Sequence, residues 1–187
     1  MRYDAIVVGA GHNGLVAAAY LARAGLSVAA CERNERVGGA AYSESPWPGW
    51  TVSVASYVCS LLHPQIIDEL NLHAHGYDAY RKDPHSFNVL LDGRSLLLGS
   101  DREANAREIA AFSKEDVAGY FAYQDETDRL GRSVFDAMTS DDPTIADFDE
   151  RTQRAFFGSA AQLAERFVET PVLQAALATD GIIGTYA

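Results

Sequence analysis

The sequence has few cysteines and no long apolar run, and each shortage narrows the possible functions. Of its 187 residues only two are cysteine, Cys31 and Cys59, and they form neither a C-x-x-C pair nor a zinc pattern. Sparse cysteine predicts a reducing, cytoplasmic setting. No metal site is expected, because His73 and His75 have no cysteine or carboxylate at matching spacing. The longest apolar run, Leu15–Ala22, is too short to cross a bilayer, so no transmembrane segment is predicted.

Basic residues are also scarce, and this shortage excludes two classes of partner. Lys and Arg number 15 against 26 Asp and Glu, which leaves a formal net charge of −11. Binding to nucleic acid needs clustered Lys and Arg at the phosphates, and electrostatic docking on anionic lipid needs the same residues. We therefore expect neither nucleic acid nor a membrane surface as a partner, and a small molecule as the substrate.

The start of the chain carries a pattern of strand, helix and strand. Residues 4–8 (DAIVV) predict a buried parallel strand, Leu15–Ala24 a helix and Leu26–Cys31 a second strand, in which Cys31 is expected to be buried. This order predicts a βαβ unit, and with it an α/β fold containing a Rossmann-like domain that binds FAD or NAD(P).

The loop between the first strand and the helix matches G-x-G-x-x-G. In that position the first glycine permits a tight turn, the second lets a pyrophosphate approach the backbone, and the third lets the helix pack closely on the strand. Backbone N–H groups and the helix dipole then face the phosphates. A side-chain role for the histidine in the loop is less expected than a backbone one. The loop consists of Gly9, Ala10, Gly11, His12, Asn13 and Gly14.

Glu32 follows the second strand, 18 residues after Gly14 (32 − 14). A carboxylate there accepts hydrogen bonds from the hydroxyls of an adenosine ribose and repels a 2′-phosphate, which disfavours NADP. The segment Glu32–Tyr42 (ERNERVGGAAY) resembles the extended FAD-binding signature of glutathione-reductase-type flavoproteins. In those proteins a Gly-Gly pair follows the glutamate, and a simple nicotinamide dehydrogenase has no need of it. The resemblance favours FAD, and an NAD-dependent dehydrogenase stays the alternative.

The whole chain resembles the N-terminal part of a phytoene-desaturase-like flavoprotein, in the branch of the pyridine nucleotide-disulfide oxidoreductase domain proteins. The resemblance implies an FAD-dependent oxidoreductase that removes hydride from an apolar or unsaturated substrate. No catalytic residue is predicted, because the flavin performs the redox chemistry. The segments that carry the resemblance are Gly9–Gly25, Glu32–Ala41, Ser60–Leu72 and Ala178–Ala187.

The resemblance also implies which residues bind the cofactor. Ala40 stands where many related amine oxidases and desaturases carry arginine, so a charged contact is missing there. The implied positions are Gly9, Ala10, Gly11, His12, Asn13 and Gly14 at the pyrophosphate, Glu32 at the ribose with Arg33 beside it, Gly38, Gly39 and Ala40 along the cofactor, and Ser56 and Tyr57 near the flavin ring.

Residues 1–75 are expected to form the Rossmann-like core, and residues 76–187 part of an α+β substrate region. In the latter, Asp92-Gly93 predicts a hairpin turn, Ser113 begins a helix through a capping box, and Thr152–Val168 and Pro171–Thr179 predict two more helices. Since members of this family are longer, we expect an N-terminal piece whose site a C-terminal part or a partner chain completes. A non-catalytic nucleotide-binding fragment is the third possibility.

Overall fold

The computed structural model describes residues 2–56, 58–59 and 61–182, and the chain divides into two compact units, Met1–Tyr80 and Arg81–Ala187. We call them the first unit and the second unit. No helix in the described ranges is long and apolar enough to span a bilayer.

The first unit contains the predicted βαβ arrangement. Strands β1 and β2 are parallel, with Ala5 opposite Val28 and Val8 opposite Cys31, and the helix between them follows the glycine loop. Residues 43–53 form an antiparallel hairpin. The elements are β1 (Ala5–Val8), α1 (His12–Arg23), β2 (Val28–Cys31), β3 (Ser43–Trp47), β4 (Trp50–Ser53) and α2 (Pro64–Glu69).

The prediction that the first strand is buried is wrong for one of its two faces. Helix α1 packs on the face that carries Val7, close to Gly14. On the opposite face Ile6 is 64% and Val8 87% exposed, and Cys31 is exposed as well. An apolar run predicts two buried faces only where a second layer covers the sheet. The described part of the first unit supplies cover on one side.

The second unit begins with a hairpin and continues with helices. Strands β5 and β6 pair antiparallel around the predicted Asp92-Gly93 turn, in which the Asp92 carboxylate accepts a hydrogen bond from the Arg94 N–H at 3.0 Å. The hairpin prediction is thereby confirmed. The elements are β5 (Ser86–Val89), β6 (Ser95–Leu98), α3 (Arg102–Ala110), α4 (Asp116–Ala137), α5 (Glu150–Phe157), α6 (Ala160–Glu165) and α7 (Pro171–Ala178).

The second unit has a hydrophobic core between the hairpin and the helices. Alternation along β6 turns Leu96 and Leu98 inward, where the helices cover them. Burying one such side chain stabilises the fold by about 1.5–3 kcal/mol. The buried cluster consists of Leu96, Leu98, Ile109, Tyr120, Phe121, Val168 and Leu173.

The predicted capping box at Ser113 forms only in half. The Ser113 hydroxyl accepts from the Asp116 N–H at 3.2 Å, as expected. The Asp116 carboxylate accepts from the backbone N–H groups of Glu169 and Thr170, both at 2.9 Å. Asp116 therefore ties the beginning of α4 to the beginning of α7, and these hydrogen bonds hold the pKa of its carboxyl below the usual range although burial opposes the shift.

The helix predicted over Thr152–Val168 is two helices, so that prediction is wrong at its middle. Gly158 adopts an extended conformation after α5. Ser159 then begins α6 with a reciprocal capping box, in which its hydroxyl accepts from the Gln162 N–H and the Gln162 side chain accepts from the Ser159 N–H, each at 3.1 Å. A Gly-Ser pair followed by a glutamine offers the chain this alternative to a continuous helix.

Candidate functional site

The glycine loop turns sharply between β1 and α1. Gly9 has φ +95°, a conformation that side chains other than glycine disfavour, and its N–H donates to the Cys31 carbonyl at 2.7 Å. Gly14 faces back onto this turn, since a Cβ at Gly14 would lie 2.0 Å from the Gly9 carbonyl oxygen. The first and third glycines are therefore required by the turn and by the packing of the helix.

Helix α1 presents its N-terminus without a side-chain cap. Gly11 is the N-cap residue in extended conformation, and no side chain accepts from the first turn. Such a helix end offers backbone N–H groups and the positive end of the dipole to an anion. His12 and Asn13 lie in this first turn with exposed side chains.

The Glu32 carboxylate is hydrogen-bonded to the glycine loop. Its carboxylate accepts from the Ala10 N–H at 2.8 Å, and from the backbone and side-chain N–H groups of Asn34 at 2.9 and 3.0 Å. These hydrogen bonds, with the Asn34 backbone contributing most, hold the pKa of Glu32 below its usual range. The carboxylate is thus ionised at neutral pH, and its Oε2, which accepts only the Ala10 N–H, has acceptor capacity left for a ligand hydroxyl.

The Gly38-Gly39 segment lies against the glycine loop. The Gly38 N–H donates to the Ala10 carbonyl at 2.7 Å, and Gly11 and Gly38 form an isolated parallel bridge. A Cβ at Gly39 would lie 3.0 Å from the Gly11 Cα. Ala10, between these contacts, is 1% exposed. Two segments separated by more than twenty residues therefore form one backbone surface with no side chain at its centre.

The other predicted cofactor residues are less closely tied to this surface. Arg33 and Ala40 are exposed, with Ala40 in the short 3-10 turn Gly39–Ala41. Ser56 is exposed and donates its N–H to the Ser53 hydroxyl at 2.9 Å. Tyr57 lies outside the described residues. For these positions, a cofactor contact stays a prediction.

Sequence reasoning missed a cavity of about 790 Å³ that continues from Gly39. Arg36 and Tyr42 line it, and the Arg36 guanidinium carbon lies 5.2 Å from the centre of the Tyr42 ring. The Tyr42 hydroxyl is buried and has no hydrogen-bond partner among the described residues. An Arg-x5-Tyr spacing carries no signal in the sequence; only the turn at Gly38–Gly39 brings the two side chains together.

These residues fit an adenine dinucleotide. A Cβ at Gly39 would crowd the Gly11 backbone, the helix end offers N–H donors to phosphate, and Glu32 offers an acceptor to a ribose hydroxyl.

Comparison with known proteins agrees with this geometry. Residues 7–90 match the NAD(P)-binding Rossmann-like domain family. The predicted fold is confirmed. Pyridine nucleotide-disulfide oxidoreductase domain-containing protein 2 of Mus musculus is 48% identical over 136 residues, which cover 69% of this chain and 23% of that protein. The chain is a relative of this protein, as the sequence resemblance predicted.

Two further similarities are more distant. A component of the limonene dehydrogenase of Castellaniella defragrans is 36% identical over 115 residues, which cover 61% of this chain and 21% of that protein. The fold is also that of a putrescine oxidase with redesigned cofactor binding, with a TM-score of 0.57 at 22% identity over 92% of this chain and 35% of the oxidase. The chain spans well under half the length of the curated relatives it matches.

Within the described ranges, no group of three or more His, Cys, Asp or Glu residues could hold a metal ion. His73 instead contacts Tyr77, with its ring edge-on at 5.3 Å between centroids and its Nδ1 3.0 Å from the Tyr77 carbonyl oxygen.

In the second unit, Tyr120 is a core residue and the Tyr123 hydroxyl donates to the Leu177 carbonyl at 3.0 Å. Both tyrosines therefore stabilise the packing of the second unit.

Proposed function

We propose that this chain supplies the FAD-binding part of an oxidoreductase. The observation that carries the proposal is the joint surface of Gly11 and Gly39, with the Glu32 carboxylate bonded to the adjacent Ala10 N–H. Glu32 would hold the adenosine ribose, the loop and the helix end would hold the pyrophosphate, and the second glycine segment would lie along the rest of the cofactor. A bound flavin would supply the hydride acceptor, and the residues of this chain would orient it and shield it from water.

NAD is the second candidate cofactor. FAD and NAD share the ADP half, and the glycine loop with Glu32 recognises only that half. The matched domain family is described as NAD(P)-binding, which supports a nicotinamide dinucleotide as well as FAD. The Gly38–Gly39 segment favours FAD, because it resembles the Gly-Gly pair that follows the glutamate in glutathione-reductase-type flavoproteins. NADP is disfavoured by the ionised Glu32, which would repel a 2′-phosphate.

We propose an apolar or unsaturated small molecule as the substrate. Support comes from the similarity to the limonene dehydrogenase component, whose name states a hydrocarbon substrate. We also infer that further protein surface, from a longer chain or a partner, completes the substrate cavity. The exposed β1 face at Ile6 and Val8 supports this inference, since exposed apolar patches mark interaction surfaces. The unpaired Cys31 and Cys59 support a cytoplasmic location.

The proposal is tested by the visible spectrum of the purified full protein and by Glu32→Ala. We expect flavin absorption bands in the unsubstituted protein. In the variant, the loss of charge-assisted hydrogen bonds should weaken FAD binding by about 1–3 kcal/mol. Asp68→Ala, at an exposed carboxylate on α2 of the same unit, is the matched control and should retain FAD.

Three results would contradict the proposal. A colourless protein that binds NAD would assign the nicotinamide alternative, and a protein that binds neither ligand would assign the non-catalytic alternative. An unchanged FAD dissociation constant in Glu32→Ala would remove Glu32 from the ribose site.

A further inference from the structure

We propose that the second unit carries a binding site of its own, for a small zwitterion with one carboxylate and one ammonium group. In this site the Arg102 guanidinium binds the carboxylate, and the Asp125 and Asp128 carboxylates bind the ammonium group. All residues of the site belong to the second unit. The inference goes beyond the proposed binding of FAD and does not depend on it.

The site is a cavity of about 660 Å³, a volume in the range of small-molecule sites. The segment before β5, the beginning of α3 and the middle of α4 line it. Three of the chain's 15 Lys and Arg residues, Arg81, Lys82 and Arg102, are among the lining residues. An apolar ligand does not suit such a cavity, because it would take these charges out of water without a partner.

Arg102 is held in position by an aromatic ring. Its guanidinium carbon lies 3.7 Å from the centre of the Phe121 ring, and Phe121 belongs to the hydrophobic core, which fixes that ring. Among the described residues, no carboxylate oxygen lies within 4.0 Å of the Arg102 guanidinium nitrogens. A cation–π contact uses the face of the guanidinium. Its N–H edge therefore remains available for two parallel hydrogen bonds to a carboxylate.

Asp125 and Asp128 bring unpaired negative charge to the same cavity. They lie one turn apart on α4, and no Lys, Arg or His nitrogen in the described part of the chain lies within 4.0 Å of either carboxylate. Their neighbour Glu126 is the opposite case, since it is buried and paired with two arginines. Asp83, which also lines the cavity, already accepts from the N–H and the hydroxyl of Ser100.

Opposite charges therefore line one cavity without neutralising one another. Asp125 and Asp128 would repel a simple anion, and Arg102 would repel a simple cation. A ligand that carries both charges avoids these repulsions and gains charge-assisted hydrogen bonds at each end. Because the two sets of charges are too far apart to pair directly, a small molecule between them can bridge them.

The test is calorimetric titration of the full protein with unbranched amino acids from glycine to ω-aminohexanoate, which carry the two charges at increasing separation. The carboxylic acid and the amine of matching chain length carry one charge each. We expect at least one of the amino acids to bind about tenfold or more tightly than both of its single-charge analogues, because only the zwitterion uses both ends of the site.

Substitutions assign each charge to its end of the site. Arg102→Gln should weaken binding of that amino acid about ten- to hundredfold without weakening binding of the amine. Arg102→Lys keeps the charge but loses the paired N–H geometry, so it should give an intermediate loss. The double substitution Asp125→Asn and Asp128→Asn should weaken amino acid binding without weakening that of the carboxylic acid. Arg107→Gln, at an arginine of α3 that does not line the cavity, is the matched control.

A series in which no amino acid binds more tightly than its single-charge analogues would overturn the inference. Unchanged amino acid binding in Arg102→Gln would overturn it as well. Equal losses for the amino acid and the amine in both Arg102 variants would show a structural role and have the same consequence. None of these results would affect the proposed FAD site, which the flavin spectrum reports separately.

Discussion

Each of the two units of this chain is stabilised internally by a different kind of interaction. In the described part of the first unit, Ala10 is the buried apolar residue. The site around it is organised by two backbone N–H groups: that of Ala10 donates to the Glu32 carboxylate, and that of Gly38 donates to the Ala10 carbonyl. The second unit is organised by a cluster of large side chains that includes Tyr120 and Leu96. Backbone geometry is suited to holding a ligand, and side-chain burial to stability without one.

The same difference appears in the charged groups. The Glu32 carboxylate in the first unit is partly exposed and bonded to N–H groups of the loop. Glu126 in the second unit is 3% exposed and is paired with Arg129 at 3.0 Å and Arg151 at 2.7 Å. A partly exposed carboxylate can bind a ligand, whereas one that is buried and doubly paired joins α4 to α5.

The largest expected effect comes from a pair of glycines, one in each unit. A Cβ at Gly14 would lie 2.0 Å from the Gly9 carbonyl oxygen, and one at Gly119 would lie 1.8 Å from the Phe167 carbonyl oxygen. Each alanine variant should destabilise its own unit by about 1–3 kcal/mol or more, as overpacking does. Only Gly14→Ala should also abolish FAD retention, measured by the flavin spectrum after dilution.

That comparison fails if Gly119→Ala loses FAD as completely as Gly14→Ala. Such a result would mean that dinucleotide binding depends on the helical core of the second unit as much as on the glycine loop. As a control, melting curves of both variants without ligand should show that each substitution lowers the stability of its own unit.

The next effect concerns the buried carboxylate. Glu126→Gln removes the counter-charge that Arg129 and Arg151 share, although Arg129 keeps Asp149 at 3.0 Å, and should cost about 1–2 kcal/mol of unfolding free energy. Glu103→Gln, which breaks an exposed pair with Arg107 (3.9 Å), should cost less than about 1 kcal/mol. Urea denaturation at neutral pH measures both; equal costs would show that the Glu126 cluster adds nothing beyond a surface pair.

The pH dependence of this cluster has a definite sign. The hydrogen bond and charge of Arg129 hold the pKa of Glu126 below its usual range, although burial opposes the shift. A carboxyl whose pKa is lower in the folded than in the unfolded state stabilises the fold fully above the unfolded value, about 4.3. This contribution disappears as the pH falls through the folded value. In Glu126→Gln, stability should therefore fall less steeply below about pH 4 than in the unsubstituted protein.

The smallest effect is a gain. Gly131 lies within α4, and a Cβ there would meet no atom within 4 Å. Gly131→Ala should therefore raise the unfolding free energy by about 0.5–1 kcal/mol, because alanine loses less backbone freedom on folding. Thermal melting would detect the gain, and Gly119→Ala, in the same helix, should have the opposite sign. A loss of stability at Gly131 would show that α4 makes a contact there outside the described structure.

The part of the site that follows from local chain geometry could be predicted. Glycine spacing between a strand and a helix predicted the turn at Gly9 and the contact of Gly14, and the position of Glu32 after β2 predicted a carboxylate beside the loop. The contact of Arg36 with the Tyr42 ring could not be predicted, because neither residue type nor their separation is distinctive. Burial of Ile6, Val8 and Cys31 was predicted wrongly, since an apolar run does not show how many layers cover a sheet.

By itself, the sequence determined the βαβ order, the glycine loop, the Asp92-Gly93 turn and the kinship with dinucleotide-binding proteins, because each depends on residues close together in the chain. Only the tertiary structure decided that Gly38 pairs with Ala10, that Asp116 caps the beginning of α7, and that Glu126 joins two helices. Each of those contacts joins residues far apart in the chain. Whether such residues meet depends on how whole helices and strands pack, and a local sequence pattern does not show that packing.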